Sequence, residues 1–453
     1  MSKDRHLIPL VERLDSAVVA CVGDLMLDHF IYGNVSRISP EAPIPVLRID
    51  SQQSMLGGLG NVVRNLGELG CRIKVFAVTG QDSAGEDIHS LLNNVLNCEA
   101  HLTRESGRKT PVKVRYIAHG QQLLRADNES THAIEAESLQ TVFASFKAMV
   151  QDCSIVVLSD YAKGMLAGDY ASEFIRIAKE QGKPVIVDPK GRDFSRYRDA
   201  TLIKPNAKEL GEASGLPVSN TAEQQAAARK LIAETGASYI LVTRGSAGML
   251  LVPKQGPILE VAALAREVFE VSGAGDTVAS ALAAALGSGC SIAEAVGIAN
   301  IAAGIVVGKI GTAVVDRSEI VHEIEHQSTL IASDKVLRPD EANERARMWR
   351  RMRLKIGFIF GNFDTLTPAD LELLEKARGE CDRLVIGVQS DNALGGIGMP
   401  QAAQDQRTRA YVLASMVFSD AVIICDDETP QKLLSALLPD VVLTMPGVSH
   451  LLR

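Results

Sequence analysis

The stretch EVFEVSGAGDTVASALAAALGSG, residues 267–289, is the most informative part of this 453-residue chain. A β-branched run leads into Gly273-Ala274-Gly275-Asp276, and the Ala-rich segment after it predicts a helix. Glycines at such a turn expose successive backbone N–H groups, and a helix N-terminus carries partial positive charge, so the loop can hold a phosphoryl group. Asp276 stands where it can accept the proton of an attacking hydroxyl. A GxGxxG dinucleotide site is excluded because Val278 occupies the third glycine position.

Short apolar runs alternate with helical segments on the N-terminal side of this motif. They are AVVACVGD (17–24), IKVFAVTG (73–80), SIVVLSD (154–160), PVIVDPK (184–190), TLIKPN (201–206) and YILVTRG (239–245). Their continuous hydrophobicity predicts strands covered on both faces, and the helices between them predict a parallel sheet. Residues 31–50 and 109–127 instead alternate polar and apolar side chains. These two stretches predict a small antiparallel sheet that serves as a lid or a dimer surface.

Composition limits the class of protein. The net charge of −8 argues against a general nucleic-acid or membrane-surface binder, since both need an excess of basic residues. The seven cysteines are scattered without a CxxC pair, which predicts reduced and mostly buried thiols. No signal pattern stands at the N-terminus, and no apolar run approaches the ~20 residues that span a bilayer. We therefore expect a cytoplasmic enzyme.

The texture of the sequence changes after Asp316. Residues 317–354 are charged and helical, and they predict a linker. Beyond them, the strand-like runs KIGFIFG, DRLVIGVQS, DAVIICDD and PDVVLTMPG are separated by helical segments. We therefore predict an α/β domain over 1–316, a helical linker over 317–354 and a smaller α/β domain over 355–453.

Several further motifs place polar or glycine residues at the ends of predicted strands. Carboxylates at the end of the first strand can accept hydrogen bonds from sugar hydroxyls, and a glycine turn opens the next helix. An asparagine and a glutamate three residues apart can bind ATP phosphates and Mg²⁺. A later glycine turn and a small-residue helix favour close approach of a nucleotide. In order, these residues are Asp24 and Asp28; Gly57, Gly58 and Asn61; Asn206, Ala207, Lys208 and Glu209; Thr243, Gly245 and Gly248; and Asn300. The turn at Gly311-Thr312 can coordinate a monovalent cation such as K⁺ through its carbonyls. Taken singly, each motif is more often an ordinary helix cap or turn, and their order along one chain is the stronger signal.

The order of these motifs resembles the ribokinase-like family of sugar kinases over residues 1 to about 316. The resemblance implies a ribokinase-like α/β sandwich with a small antiparallel β lid, ATP and Mg²⁺ as cofactors, and Asp276 as the base beside Gly273, Ala274 and Gly275. More narrowly, SRISPEAPIPVL (36–47), QQLLRAD (121–127) and LSDYAKG (158–164) are similar to the kinase half of a bacterial heptose family. That half phosphorylates D-glycero-β-D-manno-heptose 7-phosphate at O1, in the synthesis of the ADP-heptose precursor of the lipopolysaccharide core.

The resemblance also implies where the substrate binds. A sugar that already carries a phosphate needs a basic pocket, and the candidates on the lid side and at strand ends are Lys113, Arg115, Arg125, Lys163 and Lys190, with Asp160 nearby. By the same resemblance, a homodimer forms through 31–50 and 109–127.

In the heptose family the kinase is fused to a Rossmann-like adenylyltransferase of the cytidylyltransferase-like superfamily. The segment GNFDTLTPADLELLEKAR (361–378) is similar to its phosphate loop, where the family carries H-x-G-H. Here the four positions read Thr367-Pro368-Ala369-Asp370. Removing one group that stabilises transition-state charge typically costs on the order of 10²–10³ in rate, and Asp370 adds negative charge where more accumulates. The resemblance therefore predicts a degenerate second site.

Three interpretations remain open at this point. The first is a heptose 7-phosphate kinase with an inactive second domain. The second is a bifunctional kinase and ADP-heptose synthase. In the third, the kinase acts on another sugar and the second domain is a regulatory module that senses a nucleotide or recruits a separate adenylyltransferase.

Overall fold

The structure is a computed structural model that describes residues 4–264, 273–309, 313–328, 332–351, 354–396, 402–426 and 431–444. The chain divides into two compact units, of which one comprises His6–Glu323 and the other comprises Ile324–Arg453 together with the residues before His6. The strand predicted just before Gly273 and the cation turn predicted at Gly311-Thr312 lie outside the described residues.

The strands of the larger unit follow the apolar runs of the sequence. They are β1 (Val18–Gly23), β2 (Leu25–Ile38), β3 (Pro45–Gly58), β4 (Arg72–Gly80), β5 (Cys98–Glu105), β6 (Val112–Ala118), β7 (Gln121–Asn128), β8 (Ile155–Ser159), β9 (Val185–Asp188), β10 (Leu202–Ile203), β11 (Tyr239–Thr243), β12 (Met249–Pro253) and β13 (Leu259–Val261). The helices are α1 (Ile8–Val11), α2 (Leu59–Glu68), α3 (Ser83–Asn93), α4 (Ala136–Met149), α5 (Tyr170–Glu180), α6 (Ala207–Ser214), α7 (Thr221–Thr235), α8 (Ala274–Gly287), α9 (Ile292–Val307) and α10 (Arg317–Ser328).

Nine of these strands form the main sheet, in the order β13-β12-β11-β10-β9-β8-β1-β4-β5. The strands from β11 through β5 pair in parallel, and only the β11–β12 and β12–β13 pairings at one edge are antiparallel. Strand β8 is buried along its whole length because helices cover both faces, as its unbroken apolar run predicts. The carboxyl ends of β1, β8, β9 and β10 consequently meet at one edge of the sheet.

The smaller, lid-like sheet has the strand order β3-β2-β6-β7. The pairings β2–β3 and β6–β7 are antiparallel, as the alternating pattern predicts. The central pairing β2–β6 is parallel, which the expectation of an antiparallel sheet missed. Periodicity reports which face a side chain occupies, and it carries no information about the direction of the neighbouring strand.

The core of the larger unit contains a group of packed aromatic rings. The Phe146 ring packs edge-on against Phe76, with centroids 5.4 Å apart, and against Phe174, with centroids 5.2 Å apart. All three side chains are fully buried. This packing anchors α4 and α5 to one face of the sheet, and edge-to-face geometry is a favourable arrangement for such rings.

The second unit is a smaller parallel α/β structure. Its helices are α11 (Ala332–Lys335), α12 (Pro339–Arg351), α13 (Pro368–Gly379), α14 (Asp391–Gly396), α15 (Gln406–Ala414) and α16 (Gln431–Leu437), and its strands are β14 (Val336–Leu337), β15 (Ile356–Gly361), β16 (Arg383–Gln389), β17 (Ala421–Cys425) and β18 (Val441–Thr444). The strand order is β14-β17-β16-β15-β18, with every pairing parallel.

The segment predicted as a linker, 317–354, is helical but does more than connect. Its strand β14 pairs with β17, and Ala342, Ala346 and Trp349 of α12 belong to the buried core of the second unit. The charged composition of this segment concealed its narrow apolar face, which is what packs on the sheet.

No disulfide joins the seven cysteines, all of which lie in described segments, and all except Cys98 are buried as predicted. None of the described helices is both long and apolar enough to cross a membrane.

Candidate active site

The carboxyl ends of β8 to β11 and the start of α8 enclose a cavity of about 730 Å³. Of the side chains and glycines predicted to form the site, those that line it are Asp160, Lys190, Asn206, Glu209, Thr243, Gly245, Gly248, Gly273, Ala274, Gly275, Asp276 and Asn300. Asp24, Asp28, Gly57, Gly58, Asn61, Lys113, Arg115, Arg125, Lys163, Ala207 and Lys208 do not line it. A crevice beyond the carboxyl ends of parallel strands is where α/β proteins bind ligands.

Asp276 lies in the first turn of α8 and is the best-defined polar group of the cavity. Its Oδ2 accepts a hydrogen bond from Asn61 Nδ2 at 2.7 Å, and its Oδ1 accepts one from the Tyr161 hydroxyl at 2.7 Å. The side chain is buried. Burial raises the pKa of Asp276, while the hydrogen bonds from Asn61 and Tyr161 and the charge of Lys204 lower it.

The turn before Asp276 depends on a glycine. Gly273 is the N-cap of α8 and has φ +84, a left-handed conformation that a side chain disfavours. The first four N–H groups of a helix have no intrahelical acceptor, and Gly273, Ala274 and Gly275 line the cavity. The helix start therefore lies at the cavity, where the sequence predicts an anion-binding site.

A buried ion pair lies beside Asp276. Lys204 Nζ is 2.9 Å from Asp188 Oδ1, and the Lys204 side chain is 4% exposed. Burial raises the pKa of Asp188 to about 6, although the charge of Lys204 opposes the change. The sequence analysis did not select Tyr161, Asp188 or Lys204. The available signal was their position, because Asp188 ends β9, Lys204 directly follows β10 and Tyr161 lies two residues after β8.

Asn206 and Glu209 form a reciprocal helix cap. Asn206 Oδ1 accepts from the Glu209 amide at 2.9 Å, and Glu209 Oε2 accepts from the Asn206 amide at 3.1 Å. Glu209 Oε1 is also 3.0 Å from Lys190 Nζ. Lys190 was predicted to contact the sugar phosphate, but the structure places it on the Glu209 side of the cavity. Lys208 is exposed, and its Nζ lies 3.8 Å from Glu212 Oε1, so its side chain points away from the cavity.

Two carboxylates predicted to contact substrate are hydrogen-bonded to groups of the protein itself. Asp24 is 3% exposed, and it accepts hydrogen bonds from the backbone amides of Tyr161 and Lys163, both at 2.9 Å, and of Met165 at 3.0 Å. Asp160 accepts from the Tyr197 hydroxyl at 2.6 Å and lies 2.9 Å from Arg196. Both carboxylates hold loops in place, because a buried carboxylate needs such donors, and Asp160 also lines the cavity. The sequence cannot reveal that a distant loop folds onto the first strand.

Four basic residues gather on the lid sheet and the adjoining loop. Lys113 and Arg115 lie two residues apart on β6, Arg125 lies directly opposite Arg115 on β7, and Lys163 follows β8. Arg115 donates to Asp28, Lys163 Nζ donates to Glu129 at 2.7 Å, and Arg125 Nε donates to Asp127 at 2.9 Å. Burial lowers the pKa of Lys113, and the charges of Lys163, Arg115 and Arg125 lower it further while Asp28 raises it. We call this set (Lys113, Arg115, Arg125 and Lys163) the basic cluster.

Three of the predicted glycines, Gly57, Gly58 and Gly248, allow neighbouring backbone segments and side chains to pack closely. A Cβ on Gly57 would lie 2.3 Å from Asp28 Oδ2, and a Cβ on Gly58, which has φ +59, would lie 2.6 Å from the Asp24 carbonyl. A Cβ on Gly248 would lie 2.0 Å from the Val261 carbonyl. Asn300 donates to the Ala262 carbonyl at 2.9 Å from inside the cavity. The fold itself therefore requires a residue without a Cβ at Gly57, Gly58 and Gly248, whether or not a ligand binds.

Among the described residues, no three His, Cys, Asp or Glu side chains are placed to hold a metal ion together. Mg²⁺ in phosphoryl-transfer sites usually binds one or two carboxylates, substrate phosphates and several waters. Asp188 and Glu209 both line the cavity, so the donor set fits a phosphate-bound Mg²⁺ and does not fit an all-protein cage.

In the second unit, the residues at the predicted degenerate site form a helix cap. Thr367 is the N-cap of α13: its amide and its hydroxyl each donate to Asp370 Oδ2 at 2.8 Å, and its Oγ1 accepts from the Asp370 amide at 3.4 Å. Pro368 occupies the first helical position, where proline is favoured. Nearby, Asp364 accepts from the amides of Ala403 and Gln404, both at 3.0 Å. The polar groups of this turn are engaged with one another.

Each of the two units matches a known protein family. Residues 16–318 match the pfkB family of carbohydrate kinases, and residues 358–449 match the cytidylyltransferase-like family. Similar proteins over nearly the whole chain are named Bifunctional protein HldE. The one from Rhodospirillum rubrum is 44% identical over 96% of this chain and 88% of its own, and that from Paramagnetospirillum magneticum is 44% identical over 98% and 91%.

Solved structures share the fold of the larger unit. Arabidopsis thaliana ribokinase complexed with ribose and ATP superposes with a TM-score of 0.55 at 20% identity, covering 68% of this chain and 98% of that one. Phosphofructokinase-2 from Escherichia coli in complex with potassium gives 0.57 at 22% identity, covering 69% and 99%. At this identity the likeness establishes the fold alone.

Proposed function

Because the chain belongs to the pfkB family of carbohydrate kinases and carries a cytidylyltransferase-like region behind the kinase, we propose that it transfers the γ-phosphoryl group of ATP to O1 of D-glycero-β-D-manno-heptose 7-phosphate. The proposal assigns the kinase to 1–316 and the second domain to 355–453, with 317–354 as a helical linker whose β14 and α12 pack in the second unit. The observation that carries it is the Asp276 carboxylate, held between Asn61 and Tyr161 at the glycine-capped start of α8.

The transfer can be derived from the residues of the cavity. Asp276 takes the proton of the anomeric hydroxyl as its oxygen attacks the γ-phosphorus, and ADP leaves on the opposite side. The amides from Gly273 to Gly275 and the ammonium of Lys204 stabilise the charge on the transferring group. Mg²⁺, bound to the ATP phosphates beside Glu209, would neutralise charge there. A K⁺ site at Gly311-Thr312 remains part of the proposal from family resemblance.

The basic cluster supports a substrate that already carries a phosphate. Arg115 and Arg125 lie directly opposite each other on β6 and β7, and like charges in that position are destabilising in a sheet. The acidic partners Asp28, Asp127 and Glu129 offset the repulsion only in part, since three carboxylates face the four positive charges of the cluster. A phosphate dianion would neutralise the cluster and accept several charge-assisted hydrogen bonds. The substrate's 7-phosphate is proposed to bind there.

Asn61 connects the two parts of the proposed site. Its Nδ2 donates to Asp276, while its Oδ1 is buried and has no hydrogen-bond partner among the described residues. A buried acceptor without a donor is costly, so the position favours a ligand hydroxyl. In the proposed complex this acceptor receives a hydrogen bond from the sugar.

We further propose that the second domain no longer transfers an adenylyl group. The four positions of the phosphate loop form the Thr367–Asp370 capping box, so both side chains are committed to the helix start. Asp370 would repel a triphosphate at that point. The second candidate, a bifunctional kinase and adenylyltransferase, is favoured by the name of the relatives and by the match at 358–449. A regulatory or partner-binding role for the domain is the third.

A homodimer through the lid sheet is part of the proposal. Tyr32, Ile38, Ile44, Ile49, Leu123 and Leu124 are exposed large apolar residues on β2, β3, their connection and β7. Such a concentration of exposed apolar side chains is typical of an interaction surface. Light scattering at micromolar concentration tests this point, and a monomer would contradict it.

The test of the function uses the purified chain with ATP, Mg²⁺ and a panel of sugars and sugar phosphates. ADP formation with heptose 7-phosphate, and weak formation with sugars lacking the phosphate, is the expected pattern. Heptose 1-phosphate, the product from which the 7-phosphate has been removed, is then incubated with the chain and fresh ATP. Absence of pyrophosphate release supports an inactive second domain, and robust release establishes the bifunctional alternative. Turnover of another sugar in preference to heptose 7-phosphate would overturn the substrate assignment.

A further inference from the structure

Tyr161 lies between the basic cluster and the base. Its hydroxyl donates to Asp276 Oδ1 at 2.7 Å, and Lys113 Nζ lies 5.6 Å from the centroid of its ring, within reach of a cation–π contact. The same side chain therefore contacts a group assigned to substrate phosphate and the group assigned to proton transfer. No other described residue is bonded to Asp276 Oδ1.

The loop that carries Tyr161 is held rigidly in an unfavourable conformation. Ala162, the next residue, has φ +57, a left-handed conformation that costs on the order of 1–2 kcal/mol for a residue with a Cβ. The Asp24 carboxylate binds the amides of Tyr161, Lys163 and Met165, and Arg108 Nη2 donates to the Lys163 carbonyl at 2.7 Å. Local strain that persists because its surroundings fix it is characteristic of functional loops.

We propose that Tyr161 is a positioning residue of the phosphoryl transfer, whose hydroxyl fixes the Asp276 carboxylate for proton abstraction while its ring seats Lys113 on the sugar-phosphate side. The inference rests on the proposed function. It gives a role to Tyr161, which the proposed function does not itself require. Asn61 holds one carboxylate oxygen and Tyr161 the other, so the carboxylate cannot rotate. Each oxygen keeps a second lone pair, one of which receives the proton of the sugar hydroxyl.

Tyr161 acts as a donor and remains protonated. Burial raises its pKa well above the usual value, and the nearby charge of Asp276 raises it further. The proton therefore moves from the sugar hydroxyl to Asp276 and never to the phenol oxygen. In this role Tyr161 stabilises the ionised form of the base, since a hydrogen bond to a carboxylate lowers its pKa.

The consequence is a defined change in the titration of Asp276. The charged groups that act on it are Lys204, Asp28 and Asp188, and none of them is altered by Tyr161→Phe. The variant keeps the ring under Lys113 and loses only the donor. Loss of one hydrogen bond to a carboxylate corresponds to a rise in pKa of about one unit. The acid limb of kcat/KM should therefore move to higher pH by about one unit, with KM for ATP unchanged.

A direct measurement does not depend on turnover. The carboxyl ¹³C resonance of Asp276, assigned by its absence in Asp276→Asn, is titrated in the wild-type chain and in Y161F. We expect its midpoint to rise in Y161F and to fall when 3-fluorotyrosine, a stronger donor, replaces Tyr161. Tyr197→Phe is the matched control, because it loses a buried hydrogen bond to Asp160 and contacts no atom of Asp276. Its Asp276 midpoint should stay at the wild-type value.

A second variant separates the ring from the hydroxyl. Tyr161→Leu should shift the acid limb as Y161F does and also raise KM for the sugar phosphate about two- to fivefold, because Lys113 loses its aromatic partner. An unchanged Asp276 midpoint in both Y161F and the fluorotyrosine protein overturns the inference, whatever the activity. A shifted midpoint in a chain that phosphorylates no sugar of the panel rejects the proposed function and leaves the Tyr161–Asp276 coupling standing.

Discussion

Replacing Asp276 by asparagine should separate activity from stability. The substitution keeps the size and planarity of the side chain but removes the ability to take a proton. A positioned general base contributes on the order of 10²–10⁴ in rate, so kcat should fall by that factor, which corresponds to about 2.7–5.4 kcal/mol of transition-state stabilisation. ATP affinity should change little, because Asp276 contacts the acceptor hydroxyl and not the nucleotide.

The same variant should be about as stable as the wild type, or more stable, at pH 7.5. Asparagine offers one acceptor where the carboxylate offered two, so the contact with either Asn61 or Tyr161 is weakened, at a cost of about 0.5–1.5 kcal/mol. Removing a buried charge offsets that cost, because burial is the main influence on Asp276 and raises its pKa. Sites built for chemistry are commonly stabilised by such replacements.

The pH dependence carries a definite sign. The folded chain binds the Asp276 proton more tightly than the unfolded chain, whose aspartates titrate near 3.9. Wild-type stability therefore decreases as pH rises from that value through the raised pKa, and the asparagine variant lacks this contribution. Urea unfolding at pH 4 and pH 7.5, with isothermal titration of ATP and steady-state kinetics, provides the measurements. Near-normal turnover of the variant, or lost activity that accompanies unfolding, would refute the reasoning.

Three further substitutions test other parts of the site. Arg115→Ala should raise KM for the sugar phosphate about 10- to 100-fold, because it removes a charge-assisted contact. The control is Arg48→Ala, which removes an exposed arginine on β3 and should leave KM unchanged. Equal effects of the two substitutions would argue against the basic cluster as the phosphate site. Asp24→Asn leaves at least one of three buried amides without an acceptor, so the free energy of unfolding in urea should fall by about 1–3 kcal/mol. The kcat should also fall, because the loop that carries Tyr161 is displaced. An unchanged kcat would contradict the role of this loop. Thr367→Ala should destabilise the second unit by about 1 kcal/mol in thermal unfolding without changing kinase kcat, and a large drop in kcat would indicate that the second domain acts on the first.

The geometry of the start of α8 could be predicted from the sequence because it depends on local residues. Gly273 supplies the left-handed turn and Asp276 falls in the first helical turn, and both properties follow from spacing alone. The same locality explains an ambiguity. Asn206 and Glu209 stand three residues apart, a spacing shared by phosphate contacts and by the capping box that the structure contains.

Long-range partners were not readable in this way. Asp24 and Asp160 occupy strand ends, where substrate contacts are common, yet each is used to bind a segment far away along the chain. Lys190 and Lys204 follow the neighbouring strands β9 and β10, yet they have different partners. Lys204 pairs with Asp188 beside Asp276, whereas Lys190 pairs with Glu209. Which neighbour a side chain meets depends on strand order, which the pattern of apolar runs does not specify.

Phosphorus NMR of one reaction mixture tests the central claim most directly. The purified chain is incubated with heptose 7-phosphate, ATP and Mg²⁺, and the signals of substrate and product phosphates are followed together, with the Asp276→Asn variant in parallel. The account predicts ADP and a second sugar-phosphate signal from the 1,7-bisphosphate in the wild type only. Pyrophosphate and a nucleotide-sugar diphosphate signal after heptose 1-phosphate is added to the mixture, or an active Asp276→Asn protein, would contradict it.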